Sequence, residues 1–173
     1  MNVIFLDYDG VVNKAMWNED GTKCCFNFPE DGKVNDFQAV KWIEQFCKEY
    51  NYSIVVSSSW RSEPNYKECL YNGGLSRNIE IIGCTPYLGF GFIREDEIAF
   101  YLKDHPEIDN YIIVDDVDEF PNMQEHFIKT EESRGFGWPE KDKAIQIHNS
   151  LLRGMTQKDY KKLFNTDFKH YSI

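Results

Sequence analysis

Apolar residues in this chain come in short runs of strand length and in longer stretches of helical period. Val3-Ile4-Phe5-Leu6 runs unbroken into Asp7-Tyr8-Asp9-Gly10, the pattern of a strand buried on both faces that ends at a turn. Val34 to Tyr50 repeats Phe37, Val40, Ile43, Phe46 and Tyr50 at three-to-four spacing, which predicts a helix capped by Asn35 or Asp36. Ser53–Val56 reads as a second buried strand leading into Ser57-Ser58-Ser59-Trp60-Arg61. Pro64 opens a helix that stops at Gly73-Gly74. Ile79–Ile82 is a third strand leaving at Gly83, and Glu95–Lys103 a helix with Ile98, Tyr101 and Leu102 on one side and Pro106 beyond its end. Tyr111–Val114 is a fourth strand running straight into Asp115-Asp116, and His126–Lys129 a fifth. Pro139 opens a helix to about Arg153, closed by Gly154. Beyond it, Thr156 with Asp159 resembles a capping box and Met155 with Tyr160 a staple, starting a last helix that ends near Phe164.

Strands and helices alternate, so the expected fold is α/β: a three-layer sandwich with a mainly parallel sheet and helices on both faces. The whole chain, 1–173, is expected to form one domain, with 13–33 as a flap and 155–173 as a C-terminal helical extension. Three of the buried strands end in oxygen-bearing residues, namely Asp7/Asp9, Ser57/Ser58 and Asp115/Asp116. Parallel strands present their carboxyl ends on one edge, where open α/β sheets place ligands, so these three segments are expected to meet in one crevice.

Composition narrows the setting. At 42% hydrophobic and 16% aromatic residues the chain can build a real core, and disorder is excluded as its general state. A net charge of −10 disfavours a broad basic nucleic-acid footprint but leaves room for contact with a single phosphorylated end. No apolar run approaches the ~20 residues of a membrane helix. The N-terminal run is short, has no leading basic region and contains the acidic pair, so it is not read as a signal peptide. Cys24, Cys25, Cys47, Cys69 and Cys84 form an odd set without C-x-x-C, which fits free thiols and a cytoplasmic protein. His105, His126, His148 and His170 are scattered and do not suggest zinc.

Two carboxylates at i and i+2 beside a glycine turn repel each other unless a cation sits between them, and the cation suited to such oxygens while partly hydrated is Mg²⁺. With Asp115 and Asp116 on the same edge, Asp7, Asp9, Asp115 and Asp116 are the candidate metal residues. A hydroxyl from Ser57 or Ser58 and a guanidinium, taken to be Arg94 at the start of the helix before the acidic strand, would suit a bound phosphate. Phosphoryl transfer needs charge neutralisation, an in-line nucleophile and a proton donor for the leaving oxygen, and this set supplies each.

The order D-x-D-G, strand-Ser, basic residue, strand-Asp-Asp resembles the haloacid dehalogenase (HAD) superfamily of phosphohydrolases. Ser57-Ser58-Ser59-Trp60-Arg61, Arg94-Glu95-Asp96-Glu97-Ile98 and Tyr111-Ile112-Ile113-Val114-Asp115-Asp116 resemble, more narrowly, the HAD domain found alone or in Swiss Army Knife RNA-repair proteins, over roughly residues 1 to 150. The resemblance implies a Rossmann-like fold with at most a minimal cap, and a Mg²⁺-dependent phosphatase. Asp7 would be the nucleophile that forms an aspartyl-phosphate, and Asp9 the general acid and then the base. Mg²⁺ would bind the Asp7 carboxylate, the Asp9 backbone carbonyl and a carboxylate from the Asp115/Asp116 pair. Ser57 or Ser58 would hold the phosphate. Arg94 stands where the wider family often has Lys, with Lys103 as the fallback.

Neither 13–32 nor 62–93 looks able to fold as a full cap domain, so the crevice is expected to be open. An open site gains from binding energy outside the phosphate, which points to a nucleotide or a nucleic-acid end, with Trp17, Phe26 or Trp60 stacking on a base. A small-metabolite phosphatase and a catalytically silent HAD-like binding protein are the alternatives. Asp7-x-Asp9 and Asp116-x-Asp118 also begin like EF-hand loops, but Val12 and Pro121 stand where such loops need Gly. A receiver domain would carry its acidic pair after the first strand, whereas here the pair comes late. Asp118 is read as a solvated turn acid, Gly89-Phe90-Gly91-Phe92 as a turn, and Trp60 and Arg61 either as lining the site or as a packed Trp beside a surface Arg.

Overall fold

β1 (Asn2–Leu6) lies in the middle of a five-stranded sheet, between β2 (Tyr52–Val56) and β4 (Asn110–Asp115), with β3 (Ile81–Cys84) and β5 (Phe127–Lys129) at the edges. All pairings are parallel. The computed structural model describes residues 1–15 and 34–153. Most of the expected flap, with Trp17, Cys24, Cys25 and Phe26, lies outside the described residues, and so does the expected helix at 156–164.

The central strands read as continuous apolar runs because each of their faces is covered. Register places Ile4 beside Ile54 and Ile112, and Phe5 beside Val55 and Ile113. Side chains alternate across the sheet, so these two layers enter different cores. Ile4, Leu6, Ile54, Ile112 and Val114 pack with α1 (Phe37–Tyr50), α2 (Tyr66–Asn72) and α4 (Trp138–Leu152). Val3, Phe5, Val55 and Ile113 pack with Ile98 and Tyr101 of α3 (Arg94–Asp104) and with Phe120. The three-layer α/β fold expected from the alternating periods is the one observed.

The boundaries shift where local chemistry overrides the apolar pattern. α1 starts at Phe37 rather than Val34 because Asp36 caps it, its Oδ1 accepting from the N–H of Gln38 and Ala39 at 3.1 Å each. Phe37, expected on the buried stripe, is 59% exposed and covers Gly74 from outside. α1 ends at Asn51, whose left-handed backbone (φ 57°) turns the chain straight into β2. The third strand is displaced to Ile81–Cys84, because the Ile79 N–H closes a turn onto the Ser76 carbonyl. Gly83 pairs with Val55 inside that strand, beneath the Tyr101 ring, instead of marking its exit. Pro139 falls in the first turn of α4, where Glu140 accepts from the Gly137 N–H at 2.9 Å. The thiols of Cys47, Cys69 and Cys84 are free. Among the described residues, no helix is long and apolar enough to cross a membrane.

Candidate active site

The sheet's hydrogen-bond ladder continues one residue beyond the strands at their carboxyl edge. The N–H of Ser57 donates to Leu6 at 2.8 Å, that of Asp7 to Val114 at 3.0 Å, and that of Thr130 to Asp115 at 3.0 Å. Backbone pairing therefore holds Asp7, Ser57 and Asp115 where strand geometry gives out and side chains become available to a ligand. Immediately afterwards the chain folds back, with the Tyr8 carbonyl accepting from the N–H groups of Val11, Val12 and Asn13 at 2.8–3.2 Å. Gly10 takes φ +71° in this turn, and a Cβ there would lie 2.4–2.6 Å from the Asp116 side chain. The glycine thus admits both the bend and the approach of Asp116. Thr130 Oγ1 donates to the Gly10 carbonyl at 2.9 Å and ties the turn to the exit of β5.

Carboxylate oxygens of Asp7, Asp115 and Asp116 lie within 4.8 Å of one another. Burial pushes the Asp7 carboxyl well up, against the pull of the Arg94 guanidinium, and burial together with the Asp7 charge does the same to Asp115. Arg94 Nη1 stands 3.4 Å from Asp7 Oδ1 and 3.8 Å from Asp115 Oδ2, and also donates to the Ser57 carbonyl. Among the described residues, the guanidinium of Arg94 is the cation recorded against Asp7 and Asp115. An all-oxygen set of this kind fits a hard divalent ion, so Asp7, Asp115 and Asp116 can hold a metal. Arg94, on the first turn of α3, is the cation of the site. Lys103, the alternative cation, is exposed on the last turn of the same helix.

Asp9 behaves differently. The expected i, i+2 alternation stops with β1 at Leu6, and the side chain of Asp9 is absent from the carboxylate cluster. Its Oδ2 accepts from Trp60 Nε1 at 3.0 Å and its Oδ1 from Asn13 Nδ2 at 3.1 Å. Among the candidate metal residues, Asp9 therefore contributes no side-chain oxygen to the cluster. Tyr8 points away into the core, with its hydroxyl on the Tyr66 carbonyl at 2.7 Å and its ring edge-on to Trp60. The Trp60 indole, 6% exposed, is packed and aimed at Asp9, so it offers no face for a base to stack on.

The two serines divide. Ser58 caps the short 3₁₀ turn Ser59–Ser62, its Oγ accepting from the Trp60 N–H at 3.4 Å, and its hydroxyl favours the charged form of the Asp7 carboxyl. Ser57 is 2% exposed, and its Oγ is a buried hydroxyl with no protein partner, the condition of a group reserved for a ligand. Arg61 is not a surface cation. Its Nη2 reaches both oxygens of Glu97 at 2.8 Å and its Nη1 the Ser58 carbonyl at 2.8 Å. Asp118 accepts from Gln124 Nε2 at 2.7 Å in an exposed turn. Sequence reasoning missed Asn13, Glu97 and Thr130. Asn13 could have been found from the turn geometry that D-x-D-G-x-x-N implies. Glu97 and Thr130 carry no local signal, since their partners lie on other elements.

A cleft of about 290 Å³ adjoins the cluster, with Arg94 on its wall next to Ser59, Arg61, Tyr87 and Phe92. A family model described as the HAD domain in Swiss Army Knife RNA repair proteins matches residues 3–140 of the chain. The comparison with curated proteins gave no match.

Proposed function

The chain belongs to the family of HAD domains in Swiss Army Knife RNA repair proteins, and from that premise we propose that it is a phosphomonoester hydrolase working through Asp7, with a nucleotide or a nucleic-acid end as substrate. The observation that carries the proposal is the convergence of the Asp7, Asp115 and Asp116 carboxylates within 4.8 Å, with Arg94 reaching Asp7 at 3.4 Å.

In this reading a carboxylate oxygen of Asp7 attacks phosphorus, and the bond to the leaving oxygen breaks as Asp9 gives that oxygen a proton. Asp9 then takes a proton from water, which attacks the same phosphorus and releases phosphate with the Asp7 carboxylate restored. Asn13 and Trp60 hold the two Asp9 oxygens, so the proton carrier is oriented before substrate arrives. The buried Ser57 hydroxyl and the Arg94 guanidinium take the non-bridging phosphate oxygens. Mg²⁺, held by Asp7, the Asp9 backbone carbonyl, Asp115 and Asp116, would supply the positive charge that three carboxylates and a phosphate together lack.

Hydrolysis of a panel of phosphomonoesters with Mg²⁺ and with EDTA tests the reading. Activity is expected only with Mg²⁺, and Asp7→Asn should abolish it while the fold persists. Acid-quenched Asp9→Asn should retain phosphate covalently on the protein, and Asp7→Asn should not. Full activity in EDTA, or in Asp7→Asn, would overturn it.

A further inference from the structure

The cleft next to the carboxylate cluster is bounded by a loop whose ring side chains are not used in either core. Tyr87 is 75% exposed and Phe92 57% exposed, yet both line the cleft. Exposed rings are common singly, but here two stand on one wall of a cavity that shares Arg94 with the reacting centre. Tyr87 is also positioned from below. The Arg61 guanidinium lies 5.9 Å from its ring centroid, and Glu97 fixes that guanidinium through both carboxylate oxygens while accepting from the Leu88 N–H at 3.4 Å. A buried ion pair thus anchors both the platform and the loop that carries it.

The charges of the cleft indicate what it takes. Both arginines are engaged, Arg61 with Glu97 and Arg94 with Asp7 and Asp115, and Glu119 adds a carboxylate to the wall. No described cation on this wall is left to follow a second phosphate. The volume is at the small end for ligand sites, suited to one ring system rather than a strand. We propose that this cleft receives the nucleoside part of the substrate, with its base against Tyr87 and Phe92, and that recognition stops at a single nucleotide. The inference rests on the phosphatase reading above and adds to it where specificity resides.

The test compares kcat/KM for adenosine monophosphate (the 3′ or 5′ isomer, whichever the wild type turns over faster) with that for glycerol phosphate. Loss of base stacking should lower the ratio of the two about tenfold in Tyr87→Ala/Phe92→Ala. Tyr87→Phe should retain the ratio, as should Phe90→Ala, which removes an exposed ring of the same loop that does not line the cleft. An octanucleotide ending in the same phosphate should give kcat/KM within about threefold of the mononucleotide, with little dependence on salt. An unchanged ratio in the double variant, an equal fall in Phe90→Ala, or a strong preference for the octanucleotide overturns the inference. If the wild type hydrolyses neither monoester nor the octanucleotide, the phosphatase reading fails by itself. Adenosine titrated into the intact protein then decides the cleft: saturable NMR shifts of the Tyr87 and Phe92 rings support it, and their absence overturns it.

Discussion

The indole Nε1 of Trp60 donates to Oδ2 of Asp9 at 3.0 Å, joining the turn after β1 to the turn after β2. The bond makes the orientation of the proposed acid–base depend on a residue that has no place in the reaction itself. Trp60→Phe keeps a ring against Tyr8, 5.4 Å away between centroids, but removes the donor. We expect kcat to fall about tenfold with KM nearly constant, since only the positioning of the proton carrier changes. Steady-state kinetics on one phosphomonoester checks this, and a change confined to KM would contradict it.

Arg94 faces two of the three converging carboxylates, Asp7 at 3.4 Å and Asp115 at 3.8 Å. Arg94→Met should therefore lower the melting temperature in EDTA, and Mg²⁺ should raise it by more than in the wild type. For the wild type, Mg²⁺ at a hundred times its Kd should stabilise by about 2.7 kcal/mol. Asp115→Asn/Asp116→Asn should lose most of that response while becoming no less stable in EDTA. Thermal melts of the three proteins with and without Mg²⁺ are sufficient.

The Arg61–Glu97 pair is buried on both sides, with side chains 9% and 7% exposed. Removing one partner of such a pair strands the other charge, so Arg61→Met should destabilise by roughly 3–5 kcal/mol. Arg61→Met/Glu97→Met should recover much of this, because no buried charge remains. Urea midpoints measure both. Equal losses in the single and double variants would mean that the pair acts by packing alone.

His126 stacks on Tyr111 with centroids 3.9 Å apart, and its Nδ1 lies 2.9 Å from the Tyr111 carbonyl, with Glu125 the acidic neighbour. Burial lowers its pKa below the usual histidine value. The sign follows: above about pH 6.5 the ring is neutral in both states, and as pH falls below that value the unfolded chain takes a proton that the folded chain resists. Stability is lost on acidification. His126→Phe, which keeps the stacked ring, should gain stability relative to the wild type between pH 7 and pH 5, measured as the difference in urea midpoints so that other groups cancel.

Much of this fold could be read in the chain because its strands are buried on both faces and stand out as unbroken apolar runs, β1 above all. Asp7, Arg94, Asp115 and Asp116 were legible because each sits next to an element boundary that local sequence marks. The side-chain direction of Asp9 was not legible, since it depends on the turn beginning at Tyr8 rather than on strand alternation. Trp60 could be read either as lining the site or as a packed ring, and only the tertiary approach of Asp9 shows it to be a packed donor. Whether Arg61 lined the site or stood on the surface was open in the sequence, because its partner, Glu97, lies on a different element. Gly89-Phe90-Gly91-Phe92 read as a plain turn and Tyr87 was not singled out, since nothing local tells a ring that lines a cleft from one that is merely exposed.

The position of β1 at the centre of the sheet bears on how the chain is made. Asp7 is made well before its backbone partner: the carbonyl that receives its N–H belongs to Val114, about a hundred residues later at some 5–20 residues per second. The nascent chain must carry a strand whose Val3–Leu6 side chains are all buried in the fold without one of its flanking partners for several seconds, and it has no carboxylate cluster until β4 has emerged. Nascent fragments that stop before β4 should therefore be clients for chaperones, and the capacity to bind a divalent ion should arise in one step late in synthesis.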